Sequence, residues 1–265
     1  MKEFIRPNRT LGRTLGVQHI PSESIVAQRD ERSFDQNGKN LASWTIIHNG
    51  IRSYGKTFKP VLDGVPLKQV FSERVNEVPS PKVLDLMASE LFVIDAVYEG
   101  FDAGLAVSLG YPHDPYWDDT FGKGKVNMVN GDITQKTTWD EIQRRSREIA
   151  PKGFDIVISR PEGALSTMFI GEEPLLAFLM LQKMWLLGAS KSTLLFQVPR
   201  RYATQFAEYA DVLSEHGVEV HIPGRFYRRI IHMAGHPENG GSKYGFPVRI
   251  EKTPDSPRVL PRPTF

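Results

Sequence analysis

Four polar residues stand at or just after the ends of short apolar runs: Asp85, Ser108, Asp132 and Ser159. In open α/β sheets, ligands bind outside the carboxyl ends of the strands, so side chains at these ends are candidates for ligand contact. Carboxylates and hydroxyls at these positions can hydrogen-bond a small molecule. Structural roles compete with this one, because Asp85 can cap a strand end and Asp132 completes the turn-forming run Asn130-Gly131-Asp132.

The elements that must position these residues alternate from residue 82 onward, which predicts a parallel sheet covered by helices. The predicted strands are Lys82–Leu86, Gly104–Leu109, Val126–Val129, Phe154–Ser159 and Thr193–Val198. The predicted helices are Leu91–Glu99, Thr138–Ile149, Glu173–Leu187 and Tyr202–His216.

The alternation ends in two β-rich runs, Val218–Ile222 and Phe226–Met233, which only Pro223-Gly224 separates. Pro-Gly suits a type II turn, and so short a connection predicts an antiparallel hairpin. The chain is therefore predicted to contain one domain at residues 81–234. Residues 1–80 form an N-terminal extension with a helix from Pro66 to Val75, and residues 235–265 form a C-terminal tail containing Pro and Arg.

Three segments match a known family in order and spacing: Val83-Leu84-Asp85, Gly131-Asp132-Ile133, and the run from Phe154 to Glu162. With the final hairpin, they make residues 82–234 similar to the class I, Rossmann-like methyltransferases that depend on S-adenosylmethionine. The resemblance implies an α/β fold, a three-layer Rossmann-like sandwich. Its seven-stranded sheet is mostly parallel and ends in an antiparallel hairpin, with extensions at both termini.

The resemblance also implies a methyltransferase activity with S-adenosylmethionine as the cofactor. The implied cofactor-binding residues are Asp85, Met87, Ser89, Ser108, Asp132 and Ile133. Asp85 takes the acidic position that begins the family's Asp-x-Gly-x-Gly loop, and Asp132 takes the position that accepts a hydrogen bond from the adenine amino group. Methyl transfer is implied beside Ser159, Arg160, Pro161 and Glu162, where Glu162 also suits the N-terminus of a following helix.

Two departures from the family's sequence pattern favour an alternative function. Met87, Ser89 and Leu91 stand where the family has glycines, which allow unusual backbone dihedrals and a close approach to the ligand. Ser108 stands where the family usually has a carboxylate for the ribose hydroxyls. The alternative is a catalytically inactive methyltransferase-fold protein that serves as a structural or binding subunit of a larger assembly, with nucleic acid among its candidate components.

Composition restricts compartment and partners. The chain has no cysteine, which excludes disulfides, thiolate zinc sites and Cys nucleophiles and favours a reducing compartment such as the cytoplasm. No apolar run approaches the ~18 residues of a membrane span, so no membrane partner is expected. Basic residues near the two ends predict either contact with a protein or RNA partner or docking on the protein itself: Lys2, Arg6, Arg9, Arg13, Arg249, Lys252, Arg258 and Arg262.

The segment from Tyr111 to Gly124 contains side chains that could ligate a metal: His113, Asp114, Asp118 and Asp119. No helical or strand register fixes their spacing, so we predict no metal site. An aromatic loop beside the adenine or acceptor pocket is the functional alternative to a solvated loop.

Overall fold

A seven-stranded sheet forms the centre of the protein. The computed structural model describes residues 51–86, 91–108, 116–133, 135–159, 174–198, 202–223 and 245–263. In chain order, the strands are β1 Lys82–Leu86, β2 Ala103–Ser108, β3 Val126–Asn130, β4 Phe154–Ser159, β5 Gly188–Val198, β6 Glu219–His221 and β7 Phe246–Lys252.

The strand order across the sheet is β3-β2-β1-β4-β5-β7-β6. Each neighbouring pair from β3 to β5 is parallel, whereas β7 runs antiparallel to both β5 and β6. Every residue of β2 and β4 is buried, as expected for parallel strands covered on both faces. The order reverses between β1 and β4, and such a switch point opens a ligand crevice at the carboxyl ends of these two strands.

Helices cover both faces of the sheet in the described residues. They are α1 Ile51–Phe58, α2 Leu67–Glu77, α3 Leu91–Tyr98, α4 Tyr116–Phe121, α5 Lys136–Ile149, α6 Pro174–Leu187 and α7 Ala203–Glu215. One apolar cluster joins α1, α2 and α3 to the first face of the sheet, here called the α1–α3 face. A second cluster joins α5, α6 and α7 to the opposite, α5–α7 face. The predicted Rossmann-like three-layer sandwich, with its mostly parallel seven-stranded sheet, is therefore confirmed.

Local sequence explains the packing of α5 and the end of α7. In α5, the buried residues Thr138, Trp139, Ile142 and Ser146 recur at helical spacing, so one stripe faces the sheet and the charged remainder faces outward. Helix α7 ends before Gly217, whose φ of +75° is the left-handed conformation that glycine adopts most easily. The predicted helix from Pro66 to Val75 corresponds to α2.

The last strand differs from the prediction. Strand β7 is Phe246–Lys252, and the expected hairpin strand Phe226–Met233 lies outside the described residues. The prediction that residues 235–265 form a tail beyond the domain is wrong at these positions, because β7 lies inside the sheet between β5 and β6. Apolar and charged residues alternate along β7, which suits a strand inside the sheet. Val248 and Ile250 are fully buried in the α5–α7 cluster, and Arg249 and Glu251 project to the other face.

Residues on both sides of the predicted domain join the same cores. Tyr54 and Phe58 of α1 and Phe71 of α2 are fully buried against the α1–α3 face. Residues 1–50 lie outside the description.

After β7, residues 253–263 contact α6 and α7; we call this segment the C-terminal strap. Trp185 Nε1 donates to the Pro257 carbonyl at 3.0 Å, and the Tyr209 hydroxyl donates to the Pro261 carbonyl at 2.9 Å. Leu260 is buried in the α5–α7 cluster. The strap thus contacts the protein itself. A protein or RNA partner for the basic residues of both termini stays a prediction.

Among the helices described here, none combines the length and apolar character that a membrane crossing requires. The cytoplasmic location stays a prediction.

Candidate functional site

The strand register aligns the predicted polar residues at the carboxyl edge of the sheet. Asp85 pairs with Ala106 of β2 and with Ile158 of β4, and the next residue, Leu86, pairs with Ser159. Ser108 is the last residue of β2. Asp85, Ser108 and Ser159 therefore lie at one edge, beside the switch point between β1 and β4 where a ligand crevice is expected.

Asp85 is the most deeply buried charged residue of this edge. Its exposed fraction is 0%, and its Oδ2 accepts a hydrogen bond of 3.0 Å from the hydroxyl of Tyr54, which is equally buried. Because side chains alternate along a strand, Asp85 shares the α1–α3 face with Val83, while Leu84 and Leu86 face α5–α7. A buried carboxylate needs hydrogen-bond donors, and α1 supplies one of them.

Ser108 projects to the same face as Asp85. It stands two residues after Ala106, which pairs with Asp85, and it pairs in turn with Asn130 at the end of β3. The Ser108 side chain is buried, and its carbonyl accepts a hydrogen bond of 2.8 Å from the backbone N–H of Gly131. The end of β2 is therefore joined to the segment that contains Asp132.

Residues 131–133 are held closely against α5. A Cβ atom at Gly131 would lie 2.5 Å from Oγ1 of Thr138, so only glycine allows this approach of strand end and helix. Trp139 Nε1 donates to the Ile133 carbonyl at 2.5 Å. The side chains of Asp132 and Ile133 are buried, with Ile133 in the α5–α7 cluster. This packing fixes the position of Asp132 relative to Ser108.

Ser159 projects to the opposite face of the sheet from Asp85. Its neighbour in the register is Leu86, which belongs to the α5–α7 cluster, and its side chain is 2% exposed. The site thus receives Asp85 and Ser108 from one face and Ser159 from the other. Such an arrangement allows one ligand to contact Asp85 and Ser108 and a second ligand to contact the end of β4.

Several predicted residues lie outside the described residues: Met87, Ser89, Arg160, Pro161 and Glu162. Their assigned roles stay predictions. Leu91, which stands at the third glycine position of the family loop, is the first residue of α3 and packs against the α1–α3 cluster.

The opposite, amino edge of the sheet carries a separate set of charges. Asp155 Oδ2 accepts a hydrogen bond of 2.8 Å from the backbone N–H of Lys82, which ties the start of β1 to β4. Burial raises the pKa of Asp155, and this hydrogen bond partly opposes the shift. Asp102 receives hydrogen bonds from the ammonium groups of Lys82 and Lys125, which lower the pKa of its carboxyl. These carboxylates bind backbone and lysines, and they lie away from the crevice.

No group of three or more potential metal ligands occurs among the described residues. Asp118 and Asp119 lie in the first turn of α4, whereas His113 and Asp114 fall outside the description.

Tyr54 is the residue of this edge that the sequence analysis missed. The signal that could have found it is the spacing of Ile51, Tyr54 and Phe58, which repeats at helical intervals and predicts a helix with one apolar face. The apolar face alone does not indicate that a hydroxyl on it reaches Asp85, because that contact spans 31 residues of sequence.

Comparisons with known proteins find similarity only among solved structures: no family model matches the chain, and no curated protein matches it. The MycE methyltransferase from the mycinamycin biosynthetic pathway, in complex with Mg and SAH, has 15% identity and a TM-score of 0.40, with 77% of this chain and 49% of that chain covered. The plantazolicin methyltransferase BpumL, in complex with SAH and a pentazolic desmethylPZN analog, has 9% identity and a TM-score of 0.43, with 88% and 94% covered.

An O-methyltransferase from Bacillus cereus, in complex with SAH, has 9% identity and a TM-score of 0.39, with 97% of this chain and 100% of that chain covered. The present chain spans about half the length of the MycE protein.

Proposed function

We propose that this protein is a methyltransferase that uses S-adenosylmethionine as its methyl donor. The observation that carries the proposal is the fully buried carboxylate of Asp85 at the carboxyl end of β1. The strand stands at the switch point of a sheet ordered β3-β2-β1-β4-β5-β7-β6, which is where open α/β sheets bind their ligands.

The residues at this edge fit the cofactor by the chemistry of their side chains. S-Adenosylmethionine carries an ammonium group, two ribose hydroxyls and an adenine amino group, all of which donate hydrogen bonds. The carboxylates of Asp85 and Asp132 accept such bonds, and the hydroxyl of Ser108 accepts or donates them. Asp85 would hold the cofactor at β1, Ser108 would contact the ribose, and Asp132 would contact the adenine amino group.

The cofactor supplies an activated methyl group on a sulfonium, so the protein needs little acid or base chemistry of its own. Its main contribution is to hold the acceptor in line with that methyl group, which converts a bimolecular encounter into an oriented one. Ser159 is buried at the end of β4, on the face opposite Asp85. Ser159 and the adjoining Arg160, Pro161 and Glu162 are therefore the proposed acceptor-side residues.

The proposal is tested by isothermal titration of the full chain with S-adenosylmethionine and S-adenosylhomocysteine (SAH). We expect the wild-type protein to bind, and Asp85→Asn to bind at least ~10-fold more weakly, since a hydrogen bond to a charged group contributes about 1.5–3 kcal/mol.

The matched control is Asp155→Asn, which makes the same change in a buried carboxylate at the other edge of the sheet. It is expected to bind SAH like the wild type. If the wild-type protein does not bind at millimolar ligand, the proposal is wrong and the catalytically inactive methyltransferase-fold protein is the remaining hypothesis. Equal losses for Asp85→Asn and Asp155→Asn would contradict the assignment of Asp85.

A further inference from the structure

Helix α1 is attached firmly to α3, the helix that follows the predicted cofactor loop. At its start, the backbone N–H of Ile51 donates to Asp95 Oδ2 of α3 at 2.8 Å. One turn later, the ring of Tyr54 stacks on Phe92 of α3, with centroids 4.5 Å apart and planes 23° from parallel. These two contacts fix both the position and the rotation of α1.

The fixed ring directs its hydroxyl to the end of β1. Tyr54 OH donates to Asp85 Oδ2 at 3.0 Å, and neither side chain is exposed to solvent. A single tyrosine thus joins three elements: α1 that carries it, α3 that packs its ring, and β1 that carries the carboxylate. The join lies at the edge where the ligand crevice is expected.

A carboxylate that binds a ligand must keep one orientation as the ligand arrives. Free rotation of the Asp85 carboxylate would have to be arrested on binding, and arresting it lowers affinity. A donated hydrogen bond to one oxygen removes that rotation beforehand, and bonds to an ionised oxygen are about twice as strong as neutral ones. The geometry at Tyr54 meets this requirement.

We infer that Tyr54 is a positioning residue, which holds the Asp85 carboxylate in the orientation that binds the cofactor. This inference rests on the proposed function, because it concerns the same site. It assigns part of the cofactor site to a helix that precedes the sheet and that the family-like motifs do not include.

The test is titration of SAH into Tyr54→Phe, which removes the hydroxyl and keeps the ring stacked on Phe92. The dissociation constant is expected to rise about tenfold, the effect of losing one charge-assisted hydrogen bond that organises the site. Tyr209→Phe is the matched control, because it removes another buried hydroxyl hydrogen bond, on α7 at the other face. The dissociation constant of this control for SAH is expected to lie within about twofold of the wild-type value.

A double-mutant cycle separates positioning from general packing. If Tyr54 acts through the carboxylate, then Tyr54→Phe should change SAH affinity by less than about twofold in an Asp85→Asn background. Phe92→Leu is a second variant, since it removes the ring against which Tyr54 stacks. It is expected to weaken SAH binding several-fold with the Tyr54 hydroxyl still present.

The outcomes distinguish this inference from the proposed function. If the wild-type protein fails to bind SAH, both fall. If the wild type binds and Tyr54→Phe binds equally well, the inference alone is overturned. It is also overturned if Tyr54→Phe costs as much in the Asp85→Asn background as in the wild type, or if Tyr209→Phe weakens binding equally.

Discussion

Aspartates at the two edges of the sheet are surrounded by different groups. At the carboxyl edge, Asp85 is buried beside the hydroxyl of Tyr54, a neutral donor. At the amino edge, Asp102 lies between the ammonium groups of Lys82 and Lys125 and retains about a third of its exposure. The tyrosine hydroxyl places no opposite charge beside Asp85, whereas two lysine ammonium groups lie against Asp102. The two residues are both aspartates, and their surroundings fit the proposed ligand-binding role for Asp85 and a stabilising role for Asp102.

Asp102→Asn is expected to destabilise the protein most near neutral pH. The lysine hydrogen bonds hold the folded-state pKa of Asp102 below its ordinary value of 3.8. Its contribution is therefore present above that value and is lost as the pH falls through the folded-state pKa. Solvent screening limits the cost to about 1 kcal/mol. Urea unfolding of wild type and variant at pH 7 and pH 3 measures the difference.

The exposed pair Lys136–Asp140 provides the comparison for this experiment. Asp140→Asn should change the free energy of unfolding by no more than about 0.5 kcal/mol at either pH. A cost of Asp102→Asn that is the same at pH 7 and pH 3 would contradict the electrostatic origin of its effect.

Helix α6 shows how one element determines the path of another. Its sequence is apolar on nearly every side, and a helix of that kind must be covered on more than one face. The helix packs on the sheet, and the C-terminal strap contacts it at Trp185 and adds Leu260 to the same apolar cluster. The strap therefore packs on the protein, although its prolines and arginines are typical of an extended tail.

Leu260→Ala is expected to lower the free energy of unfolding by about 2–4 kcal/mol, because it empties a buried site between the strap and the helices. The neighbouring Val259 is 57% exposed, and Val259→Ala should cost less than about 0.5 kcal/mol. Chemical unfolding monitored by circular dichroism measures both. Similar values for the two variants would show that the strap does not pack as described.

Elements with a strong local pattern could be predicted from the sequence, and those fixed by distant contacts could not. Strands β1 and β4 are short, mostly apolar runs, and their predicted bounds are confirmed. Strand β7 has a weaker local pattern, because it contains Pro247, and proline is disfavoured in a central strand. It is tolerated there because β6 pairs with β7 only at Arg249–Glu251, beyond the proline. The same limit applies to the site, where Asp85 lies in a recognisable strand and Tyr54 reaches it only through the tertiary fold.

At the scale of the whole molecule, β7 is the strand that joins β6 to the rest of the sheet. It pairs with β5 over seven residues and with β6 over three, so both neighbours need it. Phe246, Val248 and Ile250 are buried almost completely. At about 1.5–3 kcal/mol each, these three side chains contribute roughly 5–9 kcal/mol, which is comparable to the total stability of a typical domain.

A chain that ends at residue 245 is therefore expected not to fold. A chain that ends at residue 252 keeps all seven strands but lacks the strap, and it should fold with a lower thermal midpoint. A chain that ends at residue 263 should match the 265-residue chain. Thermal unfolding followed by circular dichroism measures the midpoints of the three chains. A cooperative transition at the wild-type midpoint for the shortest chain would contradict the role of β7.

The position of β7 also has a consequence for biosynthesis. On the ribosome, β6 leaves the exit tunnel before β7, which is its hydrogen-bonding neighbour among the strands that the structure describes. During that interval the nascent chain presents the unpaired edge of β5, which is a template for pairing with other chains. A nonsense codon before residue 246 would leave that edge of β5 without its β7 partner, so the truncated product is expected to aggregate or to be degraded.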